Sequence, residues 1–123
     1  MPFQAKAALV RQTNAPVVVE TITVADPQRD EVTIRLGACG VCHSDLSAVN
    51  GTLPFPPPVV LGHEGAGTVV AVGEGVTDFA IGDTVLSSFV TMCGRCRWCA
   101  MGRPALCELS AKSVLTLPDG TLR

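Results

Sequence analysis

The chain has no tyrosine, a single tryptophan and 4% aromatic residues in 123. Large aromatic anchors are scarce, and seventeen valines lean the secondary structure toward strands instead. Charge is scarce as well, at 16% against the roughly 25% usual for soluble domains. Mean hydropathy is +0.39. A surface so short of polar cover is buried against a partner or another domain, or it drives association. No apolar run approaches the ~18 residues of a membrane span, and no basic-then-apolar signal segment opens the chain. Basic excess is missing: a net charge of −2 argues against a nucleic-acid surface. The length fits one domain with a modest core.

What the chain does have is cysteine. Six cysteines without a secretion signal favour metal binding in a reducing, cytoplasmic setting over a disulfide frame. Four of them, Cys93, Cys96, Cys99 and Cys107, fall within fifteen residues. Zinc prefers four thiolates in a tetrahedron, and a structural site closes all four positions with protein. Two-residue gaps let the chain fold back so that neighbouring sulfurs meet at one ion. Four thiolates around one divalent ion leave a net charge of −2, which Arg95, Arg97 and Arg103 are placed to offset. A free or disulfide-bonded cluster is the alternative, and repeated CxxC steps make it the weaker one.

Ala5 to Val10 reads as a first strand, Asn14-Ala15-Pro16 as a turn, and Val17 to Val24 as a second strand closing a hairpin. Residues 26–30 form a loop. Val32, Ile34, Leu36 and Ala38 then alternate with Thr33, Arg35 and Gly37, which predicts a strand with one buried face. Cys39 continues that side as a small core residue. A helix capped at Ser44 or a near neighbour runs to about Asn50, with Gly51 as its stop. Pro54-Phe55-Pro56-Pro57-Pro58 is a stiff extended loop. Thr68 to Val72 is a strand, and Ile81-Gly82-Asp83-Thr84-Val85 is a turn followed by a strand to about Phe89. Pro118-Asp119-Gly120 is a turn, and Thr121 to Arg123 looks like the start of one more strand. Short strands split by Gly/Pro turns predict a mainly β, partly open barrel with a short helix.

A second metal candidate is Cys42 with His63, and Glu64 beside it. Cys42 lies at a strand-to-helix junction, where the helix dipole favours a thiolate. Thiolate plus imidazole suits zinc, but two donors are too few for a stable site, and spacing alone leaves a lone cysteine and a turn histidine as the plainer reading. Asp45 could orient an imidazole through its second N–H or could simply sit favourably in the first turn of the helix. Ser44 could pass a proton or cap the helix. Gly62, Gly65 and Gly67 tempt a dinucleotide reading, yet no G-x-G-x-x-G occurs and a strand follows where that motif needs a helix. They read as backbone glycines at a tight corner.

Three segments in order, Gly40-Val41-Cys42-His43-Ser44-Asp45, Gly62-His63-Glu64-Gly65-Ala66-Gly67 and the four-cysteine lobe, resemble the zinc-dependent medium-chain alcohol dehydrogenases. The likeness runs through nearly the whole chain. It implies a GroES-like catalytic domain spanning 1–123, with a structural zinc lobe at about 90–110. Cys42 and His63 would be catalytic zinc ligands, with Glu64 near the ion. Ser44 would begin a proton relay, Asp45 would hold His63, and His43 and Ser44 would lie by the cofactor, His43 near its phosphates. Cys93, Cys96, Cys99 and Cys107 would hold the structural zinc. Family members oxidise an alcohol to an aldehyde or ketone by hydride transfer to NAD or NADP. The implied partners are a small alcohol or aldehyde, a Rossmann domain of a longer parent chain and, for a homo-oligomer, a second copy.

Three departures stand against the family pattern. No cysteine follows Cys107 to serve as third catalytic ligand. No Rossmann unit is present, so the 123-residue chain is expected to be inactive alone. Ser47 stands where many members complete the relay with histidine. A non-catalytic zinc-stabilised binding module is the competing reading, ahead of a chaperonin-cap relative that would leave both metal candidates without purpose.

Overall fold

A computed structural model of the chain describes residues 3–110. The turn expected at Pro118–Gly120 and the strand start at 121–123 lie outside the described residues. The chain divides into two compact units, residues 1–87 and 88–123.

The first unit is built from strands. β1 (Phe3–Val10) pairs antiparallel with β2 (Val18–Val24), and β1 also pairs with the two-residue β4 (Val59–Val60), giving the order β2-β1-β4. A second sheet has the order β3-β5-β6, from β3 (Val32–Gly40), β5 (Glu64–Val72) and β6 (Thr84–Leu86). Val10 and Val69, the two largest fully buried side chains, sit on the central strands β1 and β5. Each such burial is worth about 1.5–3 kcal/mol. On the hairpin's wet face, directly opposed residues bond across the strands: Gln4 to Thr23 and Lys6 to Thr21, both at 2.9 Å.

The one long connection between β3 and β5 carries helix α1 (His43–Val49). Its inner side buries Ser47 and Ala48. The Asn14 amide donates to the Val49 carbonyl at 2.7 Å, tying the β1–β2 turn to the last turn of the helix. The proline-rich run is irregular, as its missing amide donors require.

Several sequence expectations change. β1 begins at Phe3, and β5 begins at Glu64, four residues before the expected start. Gly65 and Gly67 therefore lie inside a strand rather than at a corner. A side chain at Gly67 would run into the Arg35 carbonyl, because β3 closes on it beside a register shift between Leu36 and Ala38. β6 stops at Leu86, short of Phe89. β3 does not have the simple buried face that its alternation predicts: Leu36 is 56% exposed, and Ala38 and Cys39 are exposed too. The shift at Gly37 breaks the two-residue rhythm, and nothing among the described residues covers that end of the strand. Cys39 is therefore not a core residue.

The second unit has little regular structure: α2 (Arg97–Ala100) and a single 3-10 turn (Pro104–Leu106) among the described residues. Cys107 is its one buried residue there. The described residues are mainly β with few short helices, and no described helix is long and apolar enough to cross a membrane.

Candidate functional site

β3 and β5 run antiparallel, and their final pair sets Gly40 opposite Glu64. The chain leaves β3 at Gly40 and turns into α1 at Cys42. It enters β5 just after His63. One ladder thus joins two segments that lie about twenty residues apart in sequence. A ligand atom from each of Cys42, His63 and Glu64 lies within 4.8 Å of the others.

Asp45 fixes this cluster with both carboxylate oxygens. Oδ2 accepts the Cys42 amide at 2.8 Å, which makes Cys42, rather than Ser44, the N-cap of α1. Oδ1 lies 3.4 Å from His63 Nδ1. An ionised carboxylate only accepts, so His63 donates to Asp45 from Nδ1, and this contact fixes the ring with Nε2 turned toward Ser44. The Ser44 Oγ lies 3.1 Å from that Nε2. Asp45 and His63 are both largely buried, with side chains 12% and 19% exposed, which strengthens the pairing. Asp45 therefore sits in the first turn of α1, bonds the N-cap residue through one oxygen and lies against an imidazole through the other.

The Cys42 thiol is held below its ordinary pKa. The Ser44 hydroxyl is the largest cause, followed by the Ser44 amide and the His63 ring; burial and the Glu64 charge push the other way. A thiol at a helix start, with the Ser44 hydroxyl and amide drawing its pKa down, is a sulfur suited to a metal.

Two features were invisible in the sequence. A Cβ at Gly40 would collide with the Glu64 carboxylate, so the missing side chain is what lets Glu64 lie against this end of β3. Ser87 accepts the Gly65 amide at 2.7 Å and donates to the His63 carbonyl at 3.0 Å, bracketing Glu64. Ser87 carries no motif, and only the β5–β6 register reveals it. His43 is exposed, and its Nδ1 lies 3.5 Å from the Ser47 hydroxyl, which also donates to the His43 carbonyl at 3.2 Å.

The second unit brings Cys93, Cys96, Cys99 and Cys107 together, with all four sulfurs within 4.8 Å of one another. Four Zn–S bonds of about 2.3 Å in a tetrahedron place their sulfurs about 3.8 Å apart, so the donor set fits one zinc. Backbone amides already point inward: Cys96 N–H to the Cys93 sulfur at 3.3 Å and Cys93 N–H to the Cys107 sulfur at 3.4 Å. The Cys99 amide, then that of Glu108, draws Cys96 down to about 6. Burial, then the hydrogen bond with Cys96, pushes Cys99 up to about 11. The two shifts oppose one another, which favours the proton on Cys99 over Cys96. Cys107 is drawn down, first by the Cys93 amide. Of the three arginines expected to offset the thiolate charge, Arg97 is engaged by Glu108 at 3.0 Å and lies 4.8 Å over the Trp98 ring.

A family model described as the alcohol dehydrogenase GroES-like domain matches residues 28–123. The chain is 44% identical to alcohol dehydrogenase B of Mycobacterium tuberculosis over 98% of its own length. It spans about a third of the length of the curated relatives it matches. Among solved structures, an alcohol dehydrogenase zinc-binding domain protein from Burkholderia ambifaria shares 38% identity over 99% of this chain and 33% of its own, with a TM-score of 0.89. A zinc-binding dehydrogenase from Sinorhizobium meliloti, bound to NADP, shares 34% identity over 86% of this chain and 31% of its own, with a TM-score of 0.72.

Proposed function

The chain belongs to the medium-chain zinc alcohol dehydrogenase family, as its N-terminal GroES-like domain, and on that premise we propose that it is the catalytic-domain portion of a cytoplasmic, NAD(P)-linked alcohol dehydrogenase. The observation that carries this reading is the convergence of Cys42, His63 and Glu64 at one point, with Asp45 and Ser44 on the two ring nitrogens of His63. A structural lobe alone would have no use for that second cluster.

Each residue then has a task. Cys42 and His63 hold the catalytic zinc, with Glu64 as a nearby third donor. Asp45 keeps the His63 lone pair aimed at the ion. Zinc bound there supplies a Lewis acid that lowers the pKa of an alcohol hydroxyl, and NAD(P) supplies the hydride acceptor. Ser44 takes the hydroxyl proton at its Oγ and passes it outward. The exposed His43 faces the phosphates of the cofactor, and Ser47 holds the His43 backbone. Cys93, Cys96, Cys99 and Cys107 close the structural zinc site. Val41 at 91% exposure, Leu86 at 81% and Leu36 at 56% are the apolar groups that further protein would cover. The natural candidate for that cover is a Rossmann domain, with a homo-oligomer as a separate arrangement.

Metal counting tests the reading. The purified chain should bind two zinc ions of unequal affinity, and Cys42→Ser should remove the weaker one only. A wild-type chain that saturates at one ion would instead favour the non-catalytic, zinc-stabilised binding module. Alcohol-dependent NADH formation should be absent from the 123-residue chain alone.

A further inference from the structure

We propose that Ser87 is a positioning residue for the Cys42–His63–Glu64 cluster, acting through the backbone on either side of Glu64. This deepens, and rests on, the reading of those residues as a metal site.

The β5–β6 ladder pairs Ala66 with Leu86, and the next residue pair continues through the Ser87 amide, which donates to the Gly65 carbonyl at 2.8 Å. An unbroken antiparallel ladder would answer with a main-chain carbonyl for the Gly65 N–H. Here the Ser87 hydroxyl accepts it instead, at 2.7 Å. Gly65 is buried, so its amide needs a partner. The same hydroxyl spends its own proton on the His63 carbonyl at 3.0 Å. One oxygen therefore grips the chain at 63 and at 65, using both its donor and its acceptor capacity. Glu64 lies between the two grips. Its side chain projects toward Gly40, and His63 reaches Asp45 and Ser44. Metal donors must be held within a few tenths of an ångström, and a free backbone at 63–65 would let two of the three drift.

The matched pair Ser87→Thr and Ser87→Val tests this, because the two side chains share a shape and differ in the hydroxyl. The first readout needs no metal. The chain has two histidines, so a long-range proton–nitrogen spectrum of the imidazoles separates His63 from His43. Thr should leave the His63 signals in place; Val should shift them and leave those of His43 unmoved. The second readout is titration with cobalt(II). Val should weaken uptake at the Cys42–His63–Glu64 cluster about tenfold, Thr should match wild type, and the four-cysteine band should be the same in all three. Unchanged His63 signals in Ser87→Val overturn the proposal. So does unfolding of Ser87→Val with a folded Ser87→Thr, which assigns the hydroxyl to folding instead. A wild-type chain that takes up one cobalt per chain defeats the metal reading, and the imidazole spectrum then decides the Ser87 clamp by itself.

Discussion

The two cysteine-bearing regions solve the same problem by opposite means. In the second unit, four like donors come from fifteen residues of chain, and the loop itself brings them together. In the first, three unlike donors come from two segments, and a β-ladder brings them together. The lobe has almost no core of its own among the described residues, so a zinc held by its four cysteines would supply what packing does not. The cluster on β3 and β5 sits on a framework that Val10, Val69 and the paired strands already hold. On the proposed reading, metal would support structure in one region, whereas structure would support metal in the other. Removal of each ion should therefore have different consequences.

The largest expected effect is at the lobe. Cys99→Ser removes one of four sulfurs and leaves an open site. The lobe should forfeit most of the roughly 10–16 kcal/mol of apparent binding free energy typical of structural zinc at neutral pH. Limited proteolysis should then cut within residues 88–110 and spare 3–87. A Cys99→Ser chain that keeps zinc and resists cleavage would erase the contrast between the two regions.

A smaller effect is expected from Gly40→Ala. The new methyl meets first the carboxylate end of Glu64, which can swing away, and then the Glu64 Cβ at 3.2 Å and Cδ at 3.3 Å. The strand should survive, with stability lowered by about 1 kcal/mol, because the yielding atoms belong mostly to a flexible side chain. Metal affinity at the cluster should fall about tenfold as Glu64 leaves. Denaturant unfolding of the metal-free wild type and variant reads the first number, and calorimetric titration with zinc reads the second. Wild-type affinity in Gly40→Ala would take Glu64 out of the donor set and leave a two-donor site.

The same contrast explains what could be read from the sequence. The lobe was legible because its donors are close in sequence and alike in kind. The first hairpin was legible because Val17 to Val24 is rich in β-branched residues and pairs with its nearest neighbour strand. The cluster was not legible from Cys42 and His63 by spacing, since about twenty residues separate them; the motif order carried it, through resemblance. Ser87 gave no signal at all, and Gly40 gave none of its closeness to Glu64, because both roles exist only once β3, β5 and β6 are in register. The misjudged face of β3 has a similar origin. Val32, Ile34, Leu36 and Ala38 alternate in sequence, but the shifts after Thr33 and Leu36 turn the far end of the strand. Alternation predicts a buried face only where the ladder is regular and something lies over it.

The smallest effect is on pH dependence, and it sharpens the comparison from the metal-free side. In the lobe, Cys96 is drawn to about 6 and Cys99 is pushed to about 11, against an ordinary value of 9.0 for the thiol. A depressed thiol binds fewer protons folded than unfolded, so it stabilises the fold increasingly from pH 6 to 9, and that gain is lost as pH falls through 6. A raised thiol does the reverse: its contribution is complete below pH 9 and is lost between 9 and 11. The metal-free lobe should thus be most resistant to proteolysis near pH 9 and less so on either side. At Cys42 the shift is downward only, with no raised partner thiol. The metal-free first unit should therefore gain resistance as pH rises toward 9, with no matching fall from this thiol above it. Proteolysis of the chelator-treated chain across pH 5–11, scored separately for cleavage in 3–87 and 88–110, reads both profiles. A lobe profile that climbs steadily through pH 11 would mean that the proton does not favour Cys99 over Cys96. The four sulfurs would then be independent donors, and the lobe would offer zinc a looser site than its spacing implies.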